Sequence, residues 1–155
     1  MRCNDVGTIR FAMQDTAAIR VLVADDHAPL LKEIVGLLST QFEVAGAVQT
    51  GPALVQMAER LAPDVIVADL RMGASDGIEV CCEIMRRKLC MATLILSAHS
   101  DSELVELALK AGIGGYVLKV DAGDDLIPAV QEVLNGRTFL SKSLRNSRSH
   151  HGDRH

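Results

Sequence analysis

The chain has 155 residues, of which 48% are apolar and 23% are charged, and it carries a formal net charge of −4. This length and composition predict one globular domain with a sizeable core and exclude disordered, collagenous and repeat proteins. The acidic balance argues against a protein that wraps nucleic acid. Aromatic residues, at 3%, are too few for a surface on which bases stack.

Neither a secretory signal nor a membrane span is expected from the sequence. No apolar run approaches the length that a bilayer requires, and the N-terminal residues carry charges of both signs without a continuous apolar stretch. The four cysteines, Cys3, Cys81, Cys82 and Cys90, have no CxxC spacing, and we expect them to be reduced thiols. These features predict a cytoplasmic protein.

Five short β-branched or aliphatic runs indicate strands between residues 19 and 140. They are Ile19–Ala24, Val44–Val48, Asp64–Ala68, Thr93–Ser97 and Gly115–Leu118. Residues 1–18 and 141–155 flank this patterned region and show no apolar period. We predict an N-terminal tail for the first segment and a disordered C-terminal tail for the second.

Each strand run is followed by a segment in which apolar residues recur with helical spacing. These segments are Ala28–Ser39, Pro52–Leu61, a stretch from about Asp76 to Lys88, Asp101–Ala111 and Asp124–Leu134. Gly112 and Gly136 follow the last two and predict helix ends there. Five β-α units of this length predict an α/β fold, a doubly wound parallel sheet with helices on both faces.

The chemistry-bearing residues stand where the predicted strands end. Asp25 and Asp26 follow the first run, Asp69 follows the third, Ser97 ends the fourth and Lys119 follows the fifth. In open parallel sheets the site lies outside the carboxyl ends of the strands. We therefore expect three carboxylates, one hydroxyl and one ammonium group to converge on one edge of the sheet.

Three clustered carboxylates repel one another unless a cation is present. Mg²⁺ accepts a few carboxylates together with water and phosphate oxygens as ligands. A carboxylate beside such an ion and a lysine can act as a nucleophile toward phosphorus and form an aspartyl-phosphate. Taken singly, Asp26 and Ser97 could be helix caps and Lys119 a solvated charge, but their joint placement favours a site.

The segments that carry these residues resemble the receiver domain of bacterial two-component response regulators. The resemblance covers residues 19–140 and rests on VLVADDH (21–27), PDVIVADLRMGASDGIEV (63–80), LILSAHSD (94–101) and GGYVLK (114–119). The closing segment, AVQEVLNGRTFLS (129–141), is similar to that of receivers attached to LuxR-type helix-turn-helix domains. The resemblance implies a flavodoxin-like (βα)5 fold with strand order 2-1-3-4-5.

The same resemblance implies a phosphorelay function. Asp69 is then the phosphoacceptor, and a sensor histidine kinase is the partner that supplies the phosphoryl group. Mg²⁺ or Mn²⁺ is the implied cofactor, held by Asp25, Asp26, Asp69 and the backbone carbonyl of Arg71. A domain of this kind phosphorylates and dephosphorylates itself as a signalling switch, and it is not a turnover enzyme.

The remaining implied roles concern the phosphoryl group after transfer. Ser97 and Lys119 would contact it, and Tyr116 would rotate as Ser97 moves, so that Ser97 and Tyr116 form the switch. Arg71 and His99 would flank the route of the hydrolytic water and tune dephosphorylation. The switch would change a surface that contacts an output partner or a second copy of the chain in a phosphorylation-dependent homodimer.

Two departures from the family pattern lead to further expectations. Gly73 stands where the family usually has proline, which predicts a more flexible loop and slightly looser metal or phosphoryl geometry. Only 15 residues follow Leu140, fewer than the roughly 25 that a helix-turn-helix needs. We therefore expect no specific DNA binding by this chain. No membrane partner is expected either, because no apolar run is long enough to span a bilayer.

Three alternatives remain open from the sequence alone. A haloacid-dehalogenase-type hydrolase also uses an Asp at a strand end, but it needs a second Asp two residues later, where this chain has Arg71. A flavodoxin-like nucleotide binder needs a phosphate-cradling first loop, which Asp25 and Asp26 would oppose. A truncated LuxR-type transcription regulator shares the receiver chemistry and differs only in its output domain.

Overall fold

The computed structural model describes residues 19–146, so that the predicted N-terminal tail (1–18) and residues 147–155 lie outside this range. Within it, six parallel strands form one sheet. They are β1 (Arg20–Ala24), β2 (Glu43–Val48), β3 (Val65–Asp69), β4 (Ala92–Ser97), β5 (Gly115–Leu118) and β6 (Phe139–Leu140). Their order across the sheet is β2-β1-β3-β4-β5-β6, which confirms the predicted order 2-1-3-4-5 and adds a sixth strand.

Five helices connect the strands and cover both faces of the sheet. They are α1 (Ala28–Leu38), α2 (Gly51–Leu61), α3 (Gly77–Arg86), α4 (Ser102–Lys110) and α5 (Ala122–Leu134). A single 3₁₀ turn, Lys119–Asp121, separates β5 from α5, so the last helix begins two residues earlier than predicted. From residue 19 to residue 146, no helix has both the length and the apolar character needed to cross a membrane.

The core consists of two apolar layers, one on each face of the sheet. Val21 and Val23 point into the layer that contains α1 and α5, whereas Leu22 and Ala24 point into the layer that contains α2, α3 and α4. Because side chains alternate across a strand and both faces are covered, both sets of positions must be apolar. This explains why the strands read as continuous apolar runs in the sequence.

Helix boundaries follow local capping chemistry. The Asp76 carboxylate accepts hydrogen bonds from the backbone N–H groups of Ile78 and Glu79 at the start of α3, and Asp101 caps α4 in the same way. Past the ends of α4 and α5, Gly112 and Gly136 have φ angles of +95° and +80°. The predicted helix ends at these glycines are therefore confirmed.

Three cysteines lie in the described region, and all three are free thiols. Cys81 is buried, and burial raises the pKa of its thiol far above the ordinary value. Burial also raises the pKa of Cys90 to about 11. Since the thiolate is the reactive form, both side chains act as packing groups at neutral pH.

The segment of residues 139–146, here called the edge segment, corrects the prediction that a disordered tail begins at residue 141. Its strand β6 pairs with β5, Ser141 and Leu144 are buried, and residues 142–146 form a helical turn. The Ser141 hydroxyl accepts a hydrogen bond of 3.0 Å from the backbone N–H of Leu118. Residues 141–146 are polar and show no apolar period, and they are held instead by backbone hydrogen bonds from Lys142 to Asp125 and from Ser143 to Asp121 and by the burial of Leu144.

Replacement of Ser141 by alanine is expected to lower the free energy of unfolding by about 1–2 kcal/mol, because the buried Leu118 N–H loses its acceptor. Ser143→Ala is the matched control, since the Ser143 hydroxyl bonds Asp121 at an exposed position and its loss should cost less than about 0.5 kcal/mol. Urea denaturation of both variants measures the difference. Equal losses would show that burial of Ser141 contributes nothing specific.

Candidate functional site

The sheet register aligns the carboxyl ends of the strands that carry the predicted site residues. Ala24 pairs with Ala68, and Ser97 pairs with Leu118. The residues that follow or end these strands therefore meet at the carboxyl edge of the sheet, as the sequence predicts. They are Asp25, Asp26, Asp69, Ser97 and Lys119.

Lys119 bridges two of the three carboxylates. Its Nζ lies 3.2 Å from Asp25 Oδ2 and 3.2 Å from Asp69 Oδ1. Asp25 is fully buried, and its Oδ1 accepts a hydrogen bond of 2.9 Å from the His27 backbone N–H. Within residues 19–146, Asp25 Oδ2 is a buried side-chain oxygen that accepts no hydrogen bond of ordinary geometry. Its ion pair with Lys119 therefore offsets most of the cost of burying this charge.

The three carboxylates fit a divalent cation. Asp25, Asp26 and Asp69 each offer an oxygen, and these three oxygens lie within 4.8 Å of one another. One ammonium group faces three carboxylates, and the Asp25 Oδ2 that it pairs with has no hydrogen bond of ordinary geometry. Hard cations such as Mg²⁺ and Mn²⁺ prefer oxygen ligands of this type.

The electrostatic environment of Asp69 is unfavourable for its charge. Burial of this carboxyl raises its pKa above the ordinary value, and the negative charge of Asp25 raises the pKa further. Lys119 acts in the opposite direction through its charge and a hydrogen bond, and the backbone N–H of Arg71 donates a second one. Because the pKa remains raised, additional positive charge at this edge would stabilise the Asp69 carboxylate.

A small cleft opens beside Asp69. It has a volume of about 130 Å³, and its walls include Arg71, Ser97, His99 and Lys119. The Ser97 hydroxyl is buried, accepts a hydrogen bond of 3.0 Å from the His99 N–H and donates one of 3.3 Å to the His99 carbonyl. The structure thus brings Arg71 and His99 next to the carboxylate, where the resemblance implies that they lie.

Tyr116 lies behind the cleft and does not line it. Its side chain is fully buried, and its hydroxyl donates a hydrogen bond of 3.3 Å to the carbonyl of His99. Burial raises the pKa of the phenol, so the hydroxyl stays protonated and remains a donor. The hydroxyls of Ser97 and Tyr116 therefore share one acceptor, a link through the backbone that side-chain patterns in the sequence did not reveal.

The loop after β3 contains Gly73, for which the sequence predicts extra flexibility. Short strands, Arg71–Met72 and Ser75–Asp76, form an antiparallel hairpin there. At its tip, Gly73 has a φ of +62° and donates a backbone hydrogen bond of 2.9 Å to Asp26 Oδ2. The loop is thus tied to one of the three carboxylates, a bond that a proline could not make because it lacks the N–H.

Gly77, the first residue of α3, also supports the site. Its N–H donates a hydrogen bond of 2.7 Å to the Leu70 carbonyl. A Cβ at this position would overlap the carbonyl oxygen of Asp69. Any larger residue would therefore displace the backbone that carries Asp69, and the only signal in the sequence was the glycine itself.

Comparisons with known proteins agree with this architecture. A family model described as the response regulator receiver domain matches residues 21–131. The chain is 32% identical over 131 residues to the transcriptional regulatory protein DegU of Brevibacillus brevis, covering 83% of this chain and 56% of that protein. It is 33% identical over 129 residues to the "Probable transcriptional regulatory protein NarL" of Mycobacterium tuberculosis, covering 81% of this chain and 59% of that protein. The chain therefore spans less than two thirds of the length of these relatives.

Solved structures of receiver domains superimpose on this chain. The signal receiver domain of NarL from Mycobacterium tuberculosis superimposes with a TM-score of 0.71 at 32% identity, covering 78% of this chain and 99% of that one. The isolated receiver domain of RcsB from Salmonella enterica serovar Typhimurium, determined with the phosphomimetic BeF₃⁻, gives 0.75 at 27% identity and covers 83% and 97%.

Proposed function

The chain belongs to the response regulator receiver domain family, and we propose that it is a phosphorylatable signalling switch whose phosphoacceptor is Asp69. The observation that carries this proposal is the position of Lys119, whose Nζ lies 3.2 Å from both Asp25 and Asp69. A nucleophilic carboxylate, a neutralising ammonium group and two further carboxylates are the parts that phosphoryl transfer to an aspartate requires.

In the proposed reaction, an Asp69 oxygen attacks the phosphorus of a phosphohistidine on a sensor histidine kinase. An O–P bond forms on Asp69, the P–N bond breaks, and the imidazole leaves with a proton from solvent. The Lys119 ammonium group and the Ser97 hydroxyl would stabilise the phosphoryl oxygens. Asp25, Asp26, Asp69 and the Arg71 carbonyl would hold Mg²⁺ or Mn²⁺, which when bound supplies positive charge opposite those oxygens.

The proposed switch runs through the carbonyl of His99. When the Ser97 hydroxyl turns toward a phosphoryl oxygen, it gives up the hydrogen bond that it now donates to this carbonyl. Tyr116 also donates to the same carbonyl, so its environment changes with the rotation of Ser97. Phosphorylation interacts differently with the two Ser97 orientations and thereby shifts the equilibrium between them.

The proposed partners follow from this chemistry. A sensor histidine kinase supplies the phosphoryl group in the cytoplasm, and the altered surface binds an output partner or a second copy of the chain. The protein acts as a switch and not as a turnover enzyme. Within residues 19–146 all five helices pack on the sheet, so we propose no sequence-specific DNA binding for this part of the chain.

Incubation with a small phosphodonor such as phosphoramidate tests the proposal. In the presence of Mg²⁺ the intact chain should gain about 80 Da, the mass of one phosphoryl group. Hydroxylamine should replace this gain by one of about 15 Da, because it displaces phosphate from an acyl phosphate and leaves a hydroxamate on the aspartate. Chelation of Mg²⁺ should suppress the reaction. A chain that gains no mass under these conditions, although folded by circular dichroism, would contradict the proposed function.

The lifetime of the phosphorylated form should depend on Arg71 and His99, which both line the cleft beside Asp69. Neither side chain is a carboxylate or an amide that would orient a hydrolytic water well. Arg71→Asn and His99→Glu are therefore expected to speed dephosphorylation by about tenfold, less than the full effect of general-base catalysis. Decay of the phosphorylated mass after donor removal gives the rate, and unchanged decay in both variants would show that these positions do not control water.

A further inference from the structure

Glycine is favoured at position 73 by the backbone φ angle and not by a lack of space for a side chain. Its φ of +62° lies in the left-handed region, and a Cβ added to this residue would meet no atom within 4 Å. Asparagine tolerates this conformation with its N–H intact, whereas proline, fixed near φ −65°, cannot adopt it. Glycine therefore permits a turn at this position that directs its N–H toward the site.

Each of the three clustered carboxylates accepts a hydrogen bond from a backbone N–H. Asp25 accepts from His27 and Asp69 accepts from Arg71, in both cases from two residues further along the chain. Asp26 instead accepts from Gly73, which is 47 residues away. The first two carboxylates also pair with Lys119, whereas Asp26 has no ion pair among the described residues.

Asp26 is the exposed member of the cluster, so without a restraint its side chain would exchange between rotamers in solvent. A hydrogen bond of 2.9 Å from Gly73 to Oδ2 selects one orientation and leaves the second carboxylate oxygen available to a ligand. Removal of a group that hydrogen-bonds a metal ligand and orients it commonly lowers the metal affinity by 10–100-fold. The gain arises because the ligand is ordered before the ion arrives.

We propose that Gly73 is a positioning residue for the divalent cation, and that its backbone N–H holds Asp26 in the orientation that binds the ion. This inference rests on the proposed function, which requires a cation at the three carboxylates. It concerns the residue that stands where the family usually has proline. The chain thus uses a hydrogen bond at a position where proline would supply rigidity alone.

The test is Mg²⁺ binding by the unphosphorylated full chain, measured by calorimetry and by amide chemical shifts. Gly73→Pro removes the N–H and should weaken Mg²⁺ binding by about tenfold. Gly73→Asn keeps the N–H and the left-handed conformation and should stay within about twofold of the wild type, since asparagine visits this region readily. Binding of Mn²⁺ should follow the same order.

A double-mutant cycle separates the hydrogen bond from a general effect on the loop. In an Asp26→Ala background, Gly73→Pro should cause no further loss of Mg²⁺ affinity, because the carboxylate through which Gly73 acts is gone. An equal loss in both backgrounds would overturn the inference, since it would trace the effect to the shape of the hairpin.

Amide exchange provides a measurement that does not need the proline variant. In metal-free protein, Asp26→Ala should reduce the protection of the Gly73 N–H against exchange, and unchanged protection would overturn the inference.

The outcomes distinguish this inference from the proposed function. If the wild-type chain binds Mg²⁺ and Gly73→Pro binds it equally well, the positioning role is wrong and the proposed function stands. If the wild-type chain binds neither Mg²⁺ nor Mn²⁺ and gains no phosphoryl group, the proposed function fails and the positioning role fails with it.

Discussion

Asp69→Asn is expected to abolish the mass gain of about 80 Da that a phosphodonor produces, because an amide oxygen is a poor nucleophile toward phosphorus. The loss should be complete. Asp76→Asn is the matched control, since Asp76 caps α3 through its side-chain oxygen and an asparagine can still cap. The control should gain phosphoryl at the wild-type rate, and a full gain in Asp69→Asn would refute the assignment of the phosphoacceptor.

Asp69→Asn should also change the way in which the free energy of unfolding depends on pH. The Asp69 pKa is raised in the fold, first by burial and then by the charge of Asp25, so the folded chain binds this proton more tightly than the unfolded chain. The stability that Asp69 contributes is therefore fully present below its ordinary pKa of 3.8 and is lost as the pH rises through the folded value. In metal-free buffer Asp69→Asn should gain stability relative to the wild type with rising pH, and thermal unfolding at acidic and neutral pH measures this trend.

Lys119→Met is expected to slow phosphoryl transfer by about a hundredfold, the usual effect of removing one group that stabilises transferring charge. The change removes the cation that lies 3.2 Å from both Asp25 and Asp69. It should also lower the free energy of unfolding by about 2 kcal/mol, less than for a fully buried pair because Lys119 is partly exposed. The initial rate of mass gain and urea denaturation measure the two effects.

Two comparisons make the Lys119 experiment specific. Lys110→Met removes an exposed lysine from the last turn of α4 and should leave phosphoryl transfer unchanged. Mg²⁺ should restore part of the stability lost in Lys119→Met, because a cation at the three carboxylates compensates the same charges. A variant that transfers phosphoryl as fast as the wild type would show that Lys119 is a structural counter-ion only.

Much of the fold could be predicted because its rules are local. Strands covered on both faces must be apolar at every position, helices show a periodic apolar face, and residues such as Asp101 and Gly112 mark helix ends by their capping chemistry. The sixth strand was not predicted because β6 has only two residues, Phe139 and Leu140. A strand of that length has no readable period, and its order comes from pairing with β5.

The location of the site also followed from the sequence, since a parallel sheet carries the residues after β1, β3, β4 and β5 to one edge. Its composition, with Asp25, Asp69 and Lys119 in proximity, was therefore predictable without distances. What the tertiary structure alone decided is how backbone groups serve these side chains. The Gly73 N–H reaches Asp26 across 47 residues, and the His99 carbonyl accepts from both Ser97 and Tyr116. Every residue other than proline has the same N–H and carbonyl, so their roles depend on the direction in which the folded chain points them, and that direction is absent from the order of side chains.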